Sequence, residues 1–311
     1  MGTFTSILNP VTKEGFDILR SFYIVLGVAA FIFVIVAGLV VYALIRFRRR
    51  KGREPKQFSE NVWLEVLWIT IPLLIVAGLF VVAVRVMSQV NPPVLGNKPD
   101  LTVVGHQWWW ELHYPQSGGV TAANEIHLPV GKHLLLRFES ADVIHGFWVP
   151  SFGQKIDVIP GHPNYMWLTI ARPGLYLGTC NSFCGMAHAD MRIRVFAQSP
   201  EDFSAWLAHQ RQPASLPSAV GAAKGAEVFR EKNCVNCHSI AGLMTKGRVA
   251  PDLTHVGSRT TLAAGTLPNT PENLAKWLKN PQSVKKGVLM PDIGLNTDQI
   301  KYLTAFLEGL K

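Results

Sequence analysis

The sequence predicts a multidomain chain: a two-helix transmembrane hairpin, then an all-β domain, then a small all-α domain. Two long apolar runs near the N-terminus, a series of short alternating runs after them, and helical apolar spacing beyond residue 222 carry that reading. Of the 311 residues, 48% are hydrophobic and only 16% charged, against about 25% charged in ordinary soluble domains. Mean hydropathy is +0.19. These values exclude a disordered chain and argue against a purely soluble one. The four cysteines are too few for a disulfide scaffold, and they fall into two tight pairs, the pattern of metal or cofactor chemistry.

The membrane hairpin comes first. Phe22 to Ile45 is a run of 24 residues without a charge, and a hydrocarbon core of about 30 Å needs about 20 helical residues. Val62 to Val84 is a second such run, holding only Glu65. Both exceed the h-region of a cleaved signal and read as retained helices. Between them lie Arg46, Arg48, Arg49, Arg50, Lys51, Arg53 and Lys56 against Glu54 and Glu60. Positive loops stay in the cytoplasm, so the N-terminus and everything beyond about residue 90 are expected outside. Glu65 either snorkels to the surface or serves a proton path, because charge in a bilayer is costly and usually functional. Pro72 is expected to kink its helix.

The β domain follows. Leu101–Val104, Glu125–Leu128, His133–Arg137, Met166–Ile170 and Met191–Val195 alternate and are separated by turn residues, as in a sandwich or barrel. Residues 100–199 carry 6 basic and 7 acidic side chains. No basic stripe with interleaved aromatics occurs anywhere, so no nucleic-acid partner is expected. The chemistry lies in Cys180-Asn181-Ser182-Phe183-Cys184-Gly185-Met186-Ala187-His188-Ala189-Asp190-Met191. Soft sulfur with imidazole selects copper, zinc or an iron–sulfur cluster, and Met is a poor zinc ligand. Cys, His and a weak Met form a blue-copper set. A second thiolate lets two sulfurs bridge two copper ions, each needing its own imidazole: His188, and His145 in Asp142-Val143-Ile144-His145. The bland competitor is a Cys180–Cys184 disulfide.

Residues 200–221 read as a Pro/Ser/Ala-rich linker with a helix near Glu201–Gln210, a tether reaching about 25 Å if flexible. Beyond it, Cys234-Val235-Asn236-Cys237-His238 attaches c-type haem through two thioethers, with His238 as axial ligand. Met290, in a Leu-Met-Pro run, is the expected sixth ligand in preference to Met244. It resembles the Met-Pro loop of class I cytochromes c, and Pro251-Asp252-Leu253 resembles the loop under the haem in that family. Leu274–Lys279 and Thr297–Leu310 read as helices, with Tyr302, Phe306 and Leu307 facing the core. Residues 222–311 carry 12 basic and 7 acidic side chains.

The Cys180–Met191 segment resembles the CuA loop of cytochrome c oxidase subunit II. Gly105-His106-Gln107-Trp108-Trp109-Trp110, Lys155-x-Asp157, Pro160-Gly161 and Leu64-Glu65-Val66-Leu67-Trp68-Ile69-Thr70-Ile71-Pro72 resemble further family segments. The resemblance implies a cupredoxin-like domain whose dinuclear copper is held by His145, Cys180, Cys184, His188, Met191 and the backbone carbonyl of Ser182. Ser182 stands where the family has a glutamate, which puts the magnesium site shared with subunit I in doubt. Trp108 matches the tryptophan through which electrons come in, and Glu65 the glutamate at the mouth of a proton path.

The implied domains are an N-terminal segment and two-helix membrane anchor over 1–95, a copper domain over 96–199, a linker over 200–221 and a cytochrome c domain over 222–311. The implied function is the electron-input subunit of a haem–copper oxidase in the bacterial inner membrane, with both redox domains outside. Subunit I, and also subunit III, are the implied partners, with an upstream cytochrome c or quinol–cytochrome c reductase as donor. The equivalent subunit of a nitric oxide reductase shares every motif, and a membrane-anchored copper-delivery protein shares the cysteine pair and a distant His.

Overall fold

The computed structural model describes residues 6–48, 61–91, 96–245, 247 and 249–311. These fall into two compact units. One comprises the described residues from 16 to 91, the other those up to 15 together with those from 96 onward.

The first unit consists of α1 (Lys13–Arg46, which starts in the other unit) and α2 (Val62–Val90). At about 1.5 Å per residue, either helix exceeds the hydrocarbon thickness of a bilayer. Phe31, Phe33 and Leu44 on α1 and Trp63, Leu73 and Phe80 on α2 are exposed. Helices apolar on every side need an apolar medium, and the chain is a membrane protein. Asn61 caps α2 by accepting the Leu64 N–H at 3.3 Å, and the helix runs on through Pro72. Arg46 ends α1. Arg48 follows it, and the remaining basic residues expected to set orientation, Arg49, Arg50, Lys51, Arg53 and Lys56, lie outside the described residues.

The second unit opens with an all-β sandwich. Its strands are β1 (Leu101–His106), β2 (Trp109–Tyr114), β3 (Val120–Ala123), β4 (Glu125–Pro129), β5 (His133–Ser140), β6 (His145–Trp148), β7 (Lys155–Val158), β8 (Asn164–Thr169), β9 (Gly174–Cys180) and β10 (Arg192–Gln198). One sheet runs β3-β2-β1-β5-β8 and the other β4-β10-β9-β6-β7. Alternate side chains from both meet in one core. Phe147 of β6 contacts Trp110 of β2 and Phe138 of β5, with ring centres 5.8 and 4.9 Å apart. The pairing of Phe147 with Cys180 sets the end of β9 beside the start of β6, which places the cysteine loop next to His145.

Within the expected 1–95 segment, residues 6–15 join this sandwich and not the two long helices. Thr12 bridges Ile170, the Val11 N–H donates to the Ser151 carbonyl at 2.8 Å, and buried Glu14 accepts the Thr169 N–H and hydroxyl at 2.9 and 3.0 Å. An apolar-run count could not reveal this, because strand pairing here uses backbone groups.

The expected tether is corrected. Its first half is α3 (Pro200–Gln210), N-capped by Ser199 and seated on the sandwich through Trp206, which stacks on His127 with ring centres 4.2 Å apart. Beyond it, the Arg211 Nε–H donates to the Ser117 carbonyl at 3.0 Å and buried Ala214 donates to Ala241 at 2.8 Å. The segment is packed at both ends.

The C-terminal domain holds α4 (Ala222–Glu231), α5 (Pro271–Lys279), α6 (Pro281–Val284) and α7 (Thr297–Glu308), with a small hairpin of β11 (Thr261–Leu262) and β12 (Leu267–Pro268). Helices α4 and α7 cross closely. Phe229 meets Phe306 at 5.9 Å, and a Cβ on Gly225 would lie 2.1 Å from the Tyr302 carbonyl oxygen. Phe306 and Leu307 are buried as expected, while Tyr302 is half-buried beneath Lys224, whose Nζ lies 5.3 Å from the ring centre. Gly225→Ala should force these helices apart and destabilise this domain by about 1–3 kcal/mol. A denaturant titration followed by haem absorbance would show the lowered midpoint.

Candidate metal and haem sites

Strand β9 delivers Cys180 to the sandwich edge, and the chain then loops through Cys184 and a short 3₁₀ turn, His188–Asp190, before β10. The sulfurs of Cys180 and Cys184 are 3.8 Å apart. A disulfide needs about 2.05 Å, so the pair is two free thiols, both buried. A ring nitrogen of His145 lies within 4.8 Å of both sulfurs. His188 Nδ1 is 3.6 Å from Cys184 Sγ, Met191 Sδ 4.0 Å from Cys184 Sγ, and the Ser182 carbonyl oxygen 3.2 Å from Cys180 Sγ. All six donor groups expected from the sequence thus converge.

The surroundings prepare these atoms for a metal. His145 Nε2 is engaged by Asp142 Oδ1 at 2.8 Å, while its Nδ1 is buried and unpartnered. A carboxylate on one ring nitrogen fixes the tautomer and leaves the other free to ligate. Cys180 is pushed down to about 3, first by its hydrogen bond from the Cys184 thiol and further by His145 and the Gly146 N–H. The shared proton rests on Cys184, which is pushed up. A cation replacing that proton would find one thiolate already formed. The donor set, soft sulfur with imidazole in an apolar wall, suits copper.

The three tryptophans of the 108–110 run divide their work. Trp110 is fully buried beneath His145. Trp109 stacks on His106. Trp108, 7% exposed, donates its indole N–H to the Cys184 carbonyl at 3.0 Å. Gln107, which the sequence reading passed over, donates to the same carbonyl at 2.7 Å. Asp142 was missed as a positioning group, although its place three residues before His145 was a usable signal. Glu65 lies in the first turn of α2, in the membrane unit.

In the C-terminal domain, Cys234 opens a 3₁₀ turn and the His238 N–H folds back onto its carbonyl at 3.0 Å. Cys234 and Cys237 are free thiols. His238 Nδ1 donates to the Pro251 carbonyl at 2.7 Å, which leaves Nε2 with its lone pair for iron. Burial holds His238 toward its neutral, ligating form. The expected 251–253 loop is fastened beneath it by Leu253 to Ser239 and Ser239 to Asp252. Met290 is half-buried at the rim of this domain's core, whereas Met244 is buried inside that core. These residues fit a covalently attached haem.

Three family models match the chain. That for the transmembrane domain of cytochrome c oxidase subunit II covers residues 13–87, that for its periplasmic domain residues 119–198, and that for cytochrome c residues 222–311. Cytochrome c oxidase subunit 2 of Alkalihalophilus pseudofirmus is 34% identical over 295 residues, which span 91% of this chain and 84% of that protein. The same subunit of Bacillus subtilis is 31% identical over 87% of this chain and 82% of that protein. A solved periplasmic domain of cytochrome oxidase subunit II from Bradyrhizobium japonicum is 34% identical over 37% of this chain and 96% of its own, with a TM-score of 0.35.

A Cβ on Gly146 would lie 1.9 Å from Asn181 Oδ1. Gly146→Ala should therefore displace the cysteine loop and weaken metal retention. Ser182→Ala, which loses only a 3.2 Å hydroxyl bond to Asp157, should retain metal. Metal content after dialysis separates the two.

Proposed function

Because the chain belongs to the cytochrome c oxidase subunit II family, with a cytochrome c domain behind the subunit II fold, we propose that it takes electrons into the oxidase through its own haem domain and hands them to subunit I. When bound, haem c and dinuclear copper would supply one-electron carriers on the way to subunit I, the site at which oxygen would be reduced to water with proton translocation.

The residues have distinct tasks. Cys234 and Cys237 tie the haem, and His238 and Met290 hold its iron. A Met/His pair raises haem potential, as suits a carrier. Cys180, Cys184, His145, His188, Met191 and the Ser182 carbonyl would hold the copper pair. Trp108, buried with its indole N–H on the Cys184 carbonyl, forms the way in. Glu65, where the helix N-terminus favours a carboxylate, takes up protons at the mouth of a path into subunit I. Magnesium is assigned no role, because Ser182 offers a hydroxyl bonded to Asp157 where a carboxylate would be needed. Subunit III and an upstream cytochrome c or quinol–cytochrome c reductase are the further partners, and both redox domains face the periplasm of a bacterial inner membrane.

One observation carries this reading: two unbridged, buried sulfurs 3.8 Å apart, ringed by two imidazoles, a thioether and a carbonyl. Cys180→Ser or Cys184→Ser should abolish the mixed-valence copper signal in spin resonance, and its survival would contradict the assignment. Met191→Leu should be milder, since the thioether tunes potential more than it holds metal. Met290→Ala should leave haem attached, lower its potential and admit carbon monoxide. If Met244→Ala does so instead, the axial ligand is wrongly chosen.

A further inference from the structure

Lys285 is the one buried lysine among the described residues, at 1% exposure. It follows α6 in the haem domain, yet two of its partners belong to the β sandwich. Its Nζ donates to the carbonyls of Trp108 at 2.7 Å, Asp190 at 2.8 Å and Ala263 at 3.1 Å. Three carbonyls match the three N–H bonds of an ammonium group. A buried charge is tolerated only when so satisfied. Asp190 lies between His188 and Met191, and Trp108 reaches the Cys184 carbonyl. The ammonium therefore grips the cysteine loop at Asp190 and the Trp108 backbone that holds that loop.

A second set of contacts fastens the hairpin of β11 and β12. At its tip, Ala263 and Ala264 have φ of 53° and 59°, a left-handed conformation costly for any residue with a Cβ. The tip's carbonyls are both engaged: Ala263 accepts from Lys285 of its own domain, and Ala264 accepts the Arg192 N–H of the sandwich at 3.3 Å. At its root, Glu125 of β4, 5% exposed, accepts the Thr260 N–H at 3.0 Å, the Thr260 hydroxyl at 2.6 Å and the Thr261 hydroxyl at 2.8 Å. Both ends of the hairpin are thus held by buried charged side chains, each bonded across the boundary between the domains.

We infer that Lys285 and Glu125 are positioning residues that clamp the haem domain to the sandwich with the Trp108 backbone inside the clamp. Electrons then cross within a fixed docked pair, not by collision of a tethered domain. This rests on the relay proposed above and adds the geometry that times it. Leu289 remains exposed on the haem domain, whereas Trp108 is covered. An outside donor therefore meets the haem domain first.

The test uses the intact complex carrying Lys285→Met, which keeps the side-chain length and removes the charge. Losing a charged donor to three buried carbonyls should raise the undocked population. Hydrogen exchange at the Thr260 and Arg192 amides should speed up about tenfold or more. Reduction of copper after photoreduction of the haem should slow and become viscosity-dependent, while haem absorbance and the copper spin signal stay unchanged. Thr260→Val with Thr261→Val, which loosens the other staple, should do the same and is decisive if Lys285→Met does not assemble. Unchanged exchange and viscosity-independent transfer in the variants would overturn the clamp. Absence of the copper-reduction phase in the unmutated complex would overturn the relay instead, and the exchange readout would still decide the clamp.

Discussion

Everything chemical in the sandwich depends on two sulfur atoms being kept close without bonding. Cys180 ends β9, where its strand pairs with β6, and Cys184 is turned back toward it by a loop that Gln107 and Trp108 hold at its carbonyl. The sulfurs share one proton in an apolar wall. That arrangement is poor for a folded protein with nothing bound, since it buries half-satisfied polar groups. It is favourable once a soft cation replaces the proton and uses the idle Nδ1 of His145. The carboxylate of Asp142 makes that nitrogen idle, so a side chain outside the donor set decides what the set can do.

The same loop serves as a docking surface. Asp190, inside it, and Trp108, beside it, present backbone carbonyls to Lys285, and exposed Met186 packs on Gly287 of the haem domain. Burial pushes Lys285 down to about 7, with the Asp190 carboxylate opposing. Thus the residues that hold metal and those that hold the neighbouring domain are interleaved along one short stretch. A freely tethered domain would offer an effective concentration in the millimolar range. A clamp whose staples are buried removes the search altogether.

Much of this was legible in the sequence because the signals are local. Apolar runs longer than a bilayer is thick, the second holding only Glu65, show α1 and α2, and the cysteine spacings point to both cofactor sites. Alternating runs of four or five residues show β1, β4, β5, β8 and β10. The shorter β3, β6 and β7 hold too few residues for a period of two to stand out, and in β2 the alternation is hidden by Trp109-Trp110. What the sequence could not show is long-range. Glu14 finds Thr169 across 155 positions and Lys285 finds Trp108 across 177. Neither residue carries a motif, because its role is set by what the fold brings opposite it. The linker misled for the same reason: its prolines and serines resemble a free tether, yet Trp206 and Ala214 find partners on both domains.

The central claim is that one chain carries its electrons from haem to copper internally. Flash photoreduction of the haem domain in the purified complex, with copper absorbance followed over a range of protein concentrations, tests it most directly. Copper reduction should be first order, concentration-independent and only weakly sensitive to salt. Copper that stays oxidised until a soluble cytochrome is added would contradict it.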